Sequence, residues 1–284
     1  MIPSGEGRIA GVMGWPVAHS LSPRLHGFWL RQYGIDGVYV PLPVHPDAFP
    51  DAIRALAQIG FRGVNITVPH KQAALSACDQ VDAVARRIGA VNTVVFTDGR
   101  LHGSNTDAFG FLENMREGVS DWQPAVGPAV VLGAGGAARS VVAALVDSGV
   151  PEVRVCNRSA QRAQALCREI GGPVKSLSWT DREAALSDTA VLVNATSLGM
   201  TGQEPLTLDL ARLPNSAVVS DLVYVPLETP LLAAARARGN RVVDGLGMLL
   251  HQARPGFAAW FGVSPAVTPE LRDFVLAAMG PAER

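Results

Sequence analysis

The sequence predicts an α/β protein of two domains, and three observations carry that prediction. Short apolar runs rich in β-branched residues alternate with longer amphipathic stretches from end to end, the rhythm of mostly parallel sheets joined by helices. A glycine-rich turn, GAGGAA at 133–138, separates one such run from a helical stretch. The length of 284 residues exceeds one ordinary domain and suits two.

Taken in order, the first strands are expected at 8–14, 38–44 and 63–68. Helical stretches at 22–33 and 46–59 separate them, with Ala52, Leu56 and Ile59 at helical spacing. The runs VNTVVFT and RLHGSN flank Asp98-Gly99, a hairpin signal because both turn positions must tolerate positive φ. Helix-like 108–117 follows, and then GVSDWQPAVGP, rich in turn formers, so a boundary belongs between Asp107 and Gly127. The second series has strands at Val130, Val153, Val174, Ala190, Val218 and Val242 with intervening helices. An amphipathic tail runs from Gly247 to Met279, and periodicity alone leaves open which domain it packs on.

With 17% charged residues, 48% hydrophobic ones and a net charge of −1, the chain carries no sign of disorder or of a nucleic-acid surface. Cys78, Cys156 and Cys167 form no CxxC pair, which fits reduced thiols rather than a disulfide framework. The start, MIPSGEGRIAGVMGW, lacks a basic region followed by an apolar stretch, and no run approaches the ~20 apolar residues of a membrane span. A cytoplasmic protein is expected. The six histidines, His19, His26, His45, His70, His102 and His251, lack a paired metal-ligand spacing, and no metal site is expected.

Gly133, Gly135 and Ala138 follow the G-x-G-x-x-[GA] pattern directly after a strand. In a dinucleotide site the first glycine makes the turn, the second admits the pyrophosphate, and the third small residue lets helix meet strand. The strand VRVC then ends where an NAD site would place a carboxylate for the ribose. Asn157 and Arg158 stand there instead, with Arg162 a helical turn later, and such guanidinium groups suit a 2′-phosphate. NADP is expected over NAD, although both arginines also read as solvated helix-start residues.

NITVPHK, at 65–71, reads as a strand running into a helix with Pro69 at its first position. Lys71 then lies in the first turn, where the helix macrodipole disfavours a cation by roughly 0.3–1 kcal/mol. A nearby carboxylate would offset that, and Asp107, at the expected domain junction, is the candidate. Together they would form a proton-transfer pair, because in carbonyl reduction a proton must reach the developing alkoxide as hydride arrives from a nicotinamide. A solvent-facing lysine is the plain alternative, and the pattern leaves both open. Ser20, Ser22, Thr67, Asn92 and Gln252 could hold a polar substrate. Each also has an ordinary reading, Ser22 as a helix N-cap, Thr67 as a strand residue and Asn92 as a turn residue.

Taken together, the motifs GWPVAHSLSP (14–23), NITVPHK (65–71), GAVNT (89–93), GSNTD (103–107), GAGGAA (133–138), NRS (157–159), NATSLGM (194–200) and DGLGMLLHQA (244–253) resemble the shikimate dehydrogenase family. Their order covers nearly the whole chain. The resemblance implies a substrate-binding domain, 1–107 completed by helices in 245–284, and a Rossmann-type, doubly wound NADP-binding domain, 108–244. It implies NADPH-dependent reduction of 3-dehydroshikimate to shikimate, in aromatic amino-acid biosynthesis, by a monomer or homodimer.

By the same likeness, Lys71 and Asp107 are the catalytic pair, and Ser20, Ser22, Thr67, Asn92 and Gln252 hold the substrate, with Tyr224 as a further contact. Gly133, Ala134, Gly135, Gly136 and Ala137 cradle the cofactor. Asn157, Arg158, Ser159 and Arg162 clamp its adenosine phosphate, and Thr196, Leu222, Gly245 and Met248 border the rest. His70, where phenylalanine is usual, Trp15 and His251 depart from the family pattern without removing a matched functional group. A quinate/shikimate enzyme with relaxed cofactor use and a catalytically silent NADP-binding protein are the alternatives.

Overall fold

Residues 2–279 are described by the structure, a computed structural model. The chain divides into two compact units, one of residues up to Thr106 with Gln252–Ala278, the other chiefly of Asp107–His251.

The first unit begins with β1 (Arg8–Gly14), α1 (Ser22–Gln32), β2 (Gly37–Pro43), α2 (Phe49–Gln58) and β3 (Phe61–Ile66). It continues with α3 (Lys71–Ala77), β4 (Gln80–Val81), α4 (Ala83–Ile88), β5 (Thr93–Thr97) and β6 (Arg100–Ser104). The sheet order is β2-β1-β3-β5-β6-β4. β1 runs parallel to both neighbours and β4 to β6, whereas β5 is antiparallel to β3 and β6, so the sheet carries antiparallel pairs among mostly parallel ones. The cause is the hairpin at Asp98-Gly99, whose φ values of 50° and 72° are those the dipeptide predicts. β4, only two residues long, carries too little periodicity to be read from sequence.

β3 stops at Ile66, short of the expected Val68, and Pro69 lies two residues before α3 rather than at its start. The reason is a turn. The Thr67 N–H donates to the Met13 carbonyl at 2.9 Å, and the His70 N–H to the Thr67 carbonyl at 2.9 Å, taking residues 67–70 out of both strand and helix. Met13, Phe49, Ile53, Val64, Ile66, Ala74, Val91, Val94 and Leu101 make up a core that holds this turn against the sheet.

The second unit contains α5 (Asp107–Gly118), β7 (Ala129–Leu132), α6 (Gly136–Asp147), β8 (Val153–Asn157), α7 (Ala160–Ile170) and β9 (Val174–Ser178). After these come β10 (Val191–Asn194), β11 (Val218–Asp221), α8 (Pro230–Ala237) and β12 (Arg241–Val243). All six strands are parallel in the order β12-β11-β10-β7-β8-β9, which reverses between β7 and β10. That is the doubly wound arrangement, with its ligand crevice expected at the reversal.

Helices do not fill every crossover, contrary to the sequence reading. Only two 3-10 turns, Trp179–Asp181 and Ala184–Leu186, join β9 to β10, and residues 195–217 between β10 and β11 contain no α-helix. Gly199 and Gly202, at φ 87° and 79°, and Pro205 and Pro214 oppose a helix there. Leu206, Leu210 and Leu213 cover the sheet in its place. The chain ends in α9 (Gly245–Phe261) and α10 (Pro269–Leu276). The division between units falls inside α9, between His251 and Gln252, later than the expected Gly245 because one uninterrupted helix spans the region. No helix among the described residues is long and apolar enough to cross a membrane.

A buried carboxyl ties the centre of the second sheet together. Asp221 Oδ1 accepts from Asn194 Nδ2 at 2.9 Å and the Val223 N–H at 3.0 Å, and Oδ2 accepts the Thr229 hydroxyl at 2.7 Å. Burial outweighs these bonds and pushes the carboxyl from 3.8 to about 6. Folding therefore favours the protonated form, so this group's contribution to stability is full below about pH 4 and is lost as pH rises through about 6. Asp221→Asn removes that titration. Urea unfolding across this range should show wild-type stability falling relative to the variant by up to about 3 kcal/mol. A constant difference would mean that Asp221 does not titrate there.

Candidate active site

The polar residues of the first unit gather where its parallel strands end and its helices begin. Ser20 lies in the loop after β1, and its Oγ accepts the Ser22 N–H at 3.3 Å. The N-cap reading of Ser22 is corrected: the cap position is Leu21, without a side-chain bond, and Ser22 is the first helical residue. Its side chain is buried. Thr67 lies just past β3, half-buried rather than within the strand.

Lys71 is the first residue of α3 and is half-buried. Its carbonyl accepts the Val91 N–H at 2.9 Å and so holds the segment carrying Asn92. Asn92 is 2% exposed, far more enclosed than an ordinary turn residue. Its Oδ1 accepts the Thr106 N–H at 2.8 Å and the Thr93 hydroxyl at 3.1 Å. Its Nδ2 donates to Thr106 Oγ1 at 3.0 Å and reaches Gln252 Oε1 at 3.4 Å. The Thr106 hydroxyl donates to the Gln252 carbonyl at 2.8 Å, which fixes the start of the returning segment. Asn92 and Gln252, far apart in sequence, thus belong to one bonded cluster.

Asp107 opens α5 and is buried, at a helix end whose dipole favours negative charge. In the same unit the glycine turn has two distinct parts. Gly133, at φ 110°, leaves no room for a side chain: a Cβ would sit 2.9 Å from the Ala195 carbonyl oxygen and 3.1 Å from Thr196 Cγ2. Gly135, the cap of α6, makes no side-chain bond, and a Cβ there would meet nothing within 4 Å. Ala134 lies between them, while Gly136 and Ala137 begin the 12-residue helix, whose N-terminal amides face an anion-binding end. Ala138 is wholly buried, as the third small position requires. This open, amide-lined turn fits a pyrophosphate.

β8 ends at Asn157, whose Nδ2 donates to the Ser159 carbonyl at 3.0 Å, and Ser159 Oγ caps α7 by accepting the Arg162 N–H at 3.4 Å. Arg158 and Arg162 are exposed, and Arg158 Nη1 lies 3.7 Å from Glu204. The Thr196 hydroxyl is engaged in its own turn, donating to Asn194 Oδ1 at 2.7 Å and accepting the Leu198 N–H at 3.1 Å. Gly245 packs on the backbone of Leu222 and Val223 so closely that any Cβ would strike the Leu222 carbonyl. Met248, one turn further along α9, is buried. Tyr224 is half-buried, and burial raises its hydroxyl above the usual tyrosine range. No group of three or more His, Cys, Asp or Glu side chains that could hold a metal occurs among the described residues.

Sequence reasoning missed Tyr39, Asn65 and Thr106 in the first unit and Asn194 and Asp221 in the second. Asn65 and Asn194 did leave a signal: each is an amide inside an apolar strand run, where an unpaired polar group would be costly.

Two family models match the chain. One describes the substrate-binding domain of shikimate dehydrogenase, over residues 12–94, and the other shikimate/quinate 5-dehydrogenase, over residues 123–203. The chain is 62% identical over 274 residues to the NADP(+) shikimate dehydrogenase of Paramagnetospirillum magneticum, covering 96% of this chain and 99% of the relative. It is 58% identical over 278 residues to that of Rhodospirillum rubrum, covering 96% and 98%. Among solved structures it resembles Thermus thermophilus shikimate 5-dehydrogenase in complex with NADP(H) and shikimate, at 42% identity and a TM-score of 0.86, covering 96% and 100%. It also resembles Corynebacterium glutamicum quinate dehydrogenase in complex with NAD, at 33% identity and a TM-score of 0.89, covering 95% and 99%.

The two glycines of the turn should respond differently to a methyl group. Gly133→Ala should destabilise the protein by about 1–3 kcal/mol, because it combines a left-handed φ with a backbone clash. Gly135→Ala should cost less, under about 1 kcal/mol, because only the poorer N-cap propensity of alanine is felt where space is open and φ is ordinary. Thermal unfolding of both variants separates the two, and equal shifts would contradict this account of the turn.

Proposed function

The chain belongs to the shikimate dehydrogenase family, and from that membership we infer that it catalyses the reversible NADPH-dependent reduction of 3-dehydroshikimate to shikimate. The observation that carries this reading is end-to-end identity of 62% with a relative of that name. When bound, NADPH supplies the hydride that turns the carbonyl carbon into a CH–OH centre. Lys71 gives the proton to the carbonyl oxygen, or takes it back in the reverse direction, and Asp107 orients the amine. Ser20 and Ser22 receive the substrate carboxylate, and Thr67, Asn92 and Gln252 its hydroxyls, with Tyr224 as an additional contact.

The cofactor's pyrophosphate is assigned to residues 133–137. Its 2′-phosphate is assigned to Asn157, Arg158, Ser159 and Arg162, which offer two exposed guanidinium groups where a ribose-binding carboxylate would otherwise stand. Thr196, Leu222, Gly245 and Met248 border the remainder. The enzyme is assigned to the cytoplasm, in keeping with three free cysteines, as a monomer or homodimer serving aromatic amino-acid biosynthesis.

Nicotinamide absorbance, followed with shikimate or quinate and with NADP or NAD, tests the reading directly. Shikimate with NADP should be the fastest of the four mixtures. Fastest turnover of quinate with NAD would reassign the substrate and cofactor, and no turnover in any mixture would remove the catalytic reading. Lys71→Ala should lower kcat by about 10²–10⁴-fold with NADP affinity nearly unchanged, and wild-type turnover in that variant would take the lysine out of the mechanism. Arg158→Asp should shift the kcat/KM preference from NADP toward NAD, because a carboxylate repels the 2′-phosphate and can accept from the ribose hydroxyl. An unchanged ratio would count against the clamp.

A further inference from the structure

Tyr39 lies on β2 with only 5% of its surface exposed, yet its hydroxyl reaches the polar cluster. It donates to Asn65 Oδ1 at 2.7 Å. Asn65, on β3, places both its amide hydrogens: Nδ2 donates to the Asn92 carbonyl at 3.2 Å and to Thr93 Oγ1 at 3.1 Å. The Thr93 hydroxyl in turn donates to Asn92 Oδ1 at 3.1 Å. One chain of bonds therefore runs from Tyr39 through Asn65 and Thr93 to Asn92.

The direction of each bond matters. An asparagine amide can sit in either of two flips, and only one of them suits these neighbours. Reversed, Asn65 would turn its oxygen toward the Asn92 carbonyl, oxygen against oxygen. A hydroxyl at Tyr39 that donates to Oδ1 selects the productive flip.

The phenol itself is held by stacking. The His26 ring lies 3.9 Å from the Tyr39 ring at an interplanar angle of 2°, with Trp29, Phe257 and Trp260 around it. Burial pushes the His26 imidazole down to about 3, so Tyr39 rests on an uncharged ring near neutrality. Burial also raises the phenol well above the usual tyrosine range and keeps its proton in place to donate.

We propose that Tyr39 is a positioning residue for the substrate, fixing Asn92 through Asn65 so that the amide receiving the ring hydroxyls keeps one orientation. This rests on the assignment of Asn92 to shikimate made above. Tyr39 acts through Asn65 and Asn92.

Tyr39→Phe keeps the ring and its stack on His26 and removes only the hydroxyl. The KM for shikimate should rise about ten-fold, the effect of one misplaced buried hydrogen-bonding group, with the KM for NADP unchanged and kcat within about three-fold of wild type. On an Asn65→Ala background the same change should raise the KM for shikimate by no more than about two-fold, because the link is already broken. An unchanged KM for shikimate in Tyr39→Phe, with any loss confined to the melting temperature, would overturn the proposal. So would equal effects on the KM values for shikimate and NADP, or a ten-fold penalty that persists without Asn65. If Asn65→Ala does not fold, the single variant still decides. Failure of the functional reading is seen separately, as wild-type enzyme that does not oxidise shikimate.

Discussion

The geometry of the first unit depends on buried side-chain amides finding every partner they need. Asn65 and Asn92 are 6% and 2% exposed, and an unpaired polar atom at either site would cost about 1–3 kcal/mol. Asn65 is satisfied by Tyr39, the Asn92 backbone and Thr93, and Asn92 by Thr93, Thr106 and Gln252. Those partners come from four separate stretches of chain. Satisfying two amides therefore brings β2, β3, the segment before β5, the segment after β6 and the returning helix to one place. The side chains assigned to substrate are held there as a by-product of satisfying the core.

The second unit uses a different constraint, close approach of backbone to backbone. Gly133 sits against Ala195 and Thr196, and Gly245 against Leu222, in each case too near for a Cβ. Asn194, one residue before Ala195, bonds to Asp221, one residue before Leu222. The two glycine contacts are thus tied together at the carboxyl ends of β10 and β11, beside the reversal in strand order. Gly135 is the exception among these glycines. No neighbour limits it, so its lack of a side chain is explained by access to the helix end rather than by packing.

Signals confined to a few adjacent residues were the ones legible in the sequence. Asp98-Gly99 and GAGGAA each prescribe a backbone conformation locally, and both fold as read. The strand positions of the second sheet were legible because buried parallel strands appear as unbroken apolar runs. What escaped depends on contacts across the chain. Leu206, Leu210 and Leu213 replace a helix only because the sheet is there to be covered. Ser22 falls at the first helical position rather than at the cap, and Tyr39 and Thr106 gained their roles from partners that no local pattern announces.

His70, a departure from the family pattern, shows how such a partner can preserve a site while changing what supports it. Its ring stacks on Phe49 with centroids 4.6 Å apart and planes 13° from parallel, a contact that a phenylalanine would also make. Its Nε2 lies 2.8 Å from the Val44 carbonyl oxygen, and because a carbonyl only accepts, Nε2 carries the proton. Net, such a bond contributes about 0.5–1.5 kcal/mol. The His70 N–H closes the Thr67 turn, and its carbonyl accepts the Ala74 N–H in the first turn of α3. A single imidazole therefore joins the segment after β2 to both the turn bearing Thr67 and the helix that starts with Lys71. The imidazole retains the aromatic contact and adds a directional bond, so the residue beside the lysine can differ from the family pattern while the position of the lysine is kept.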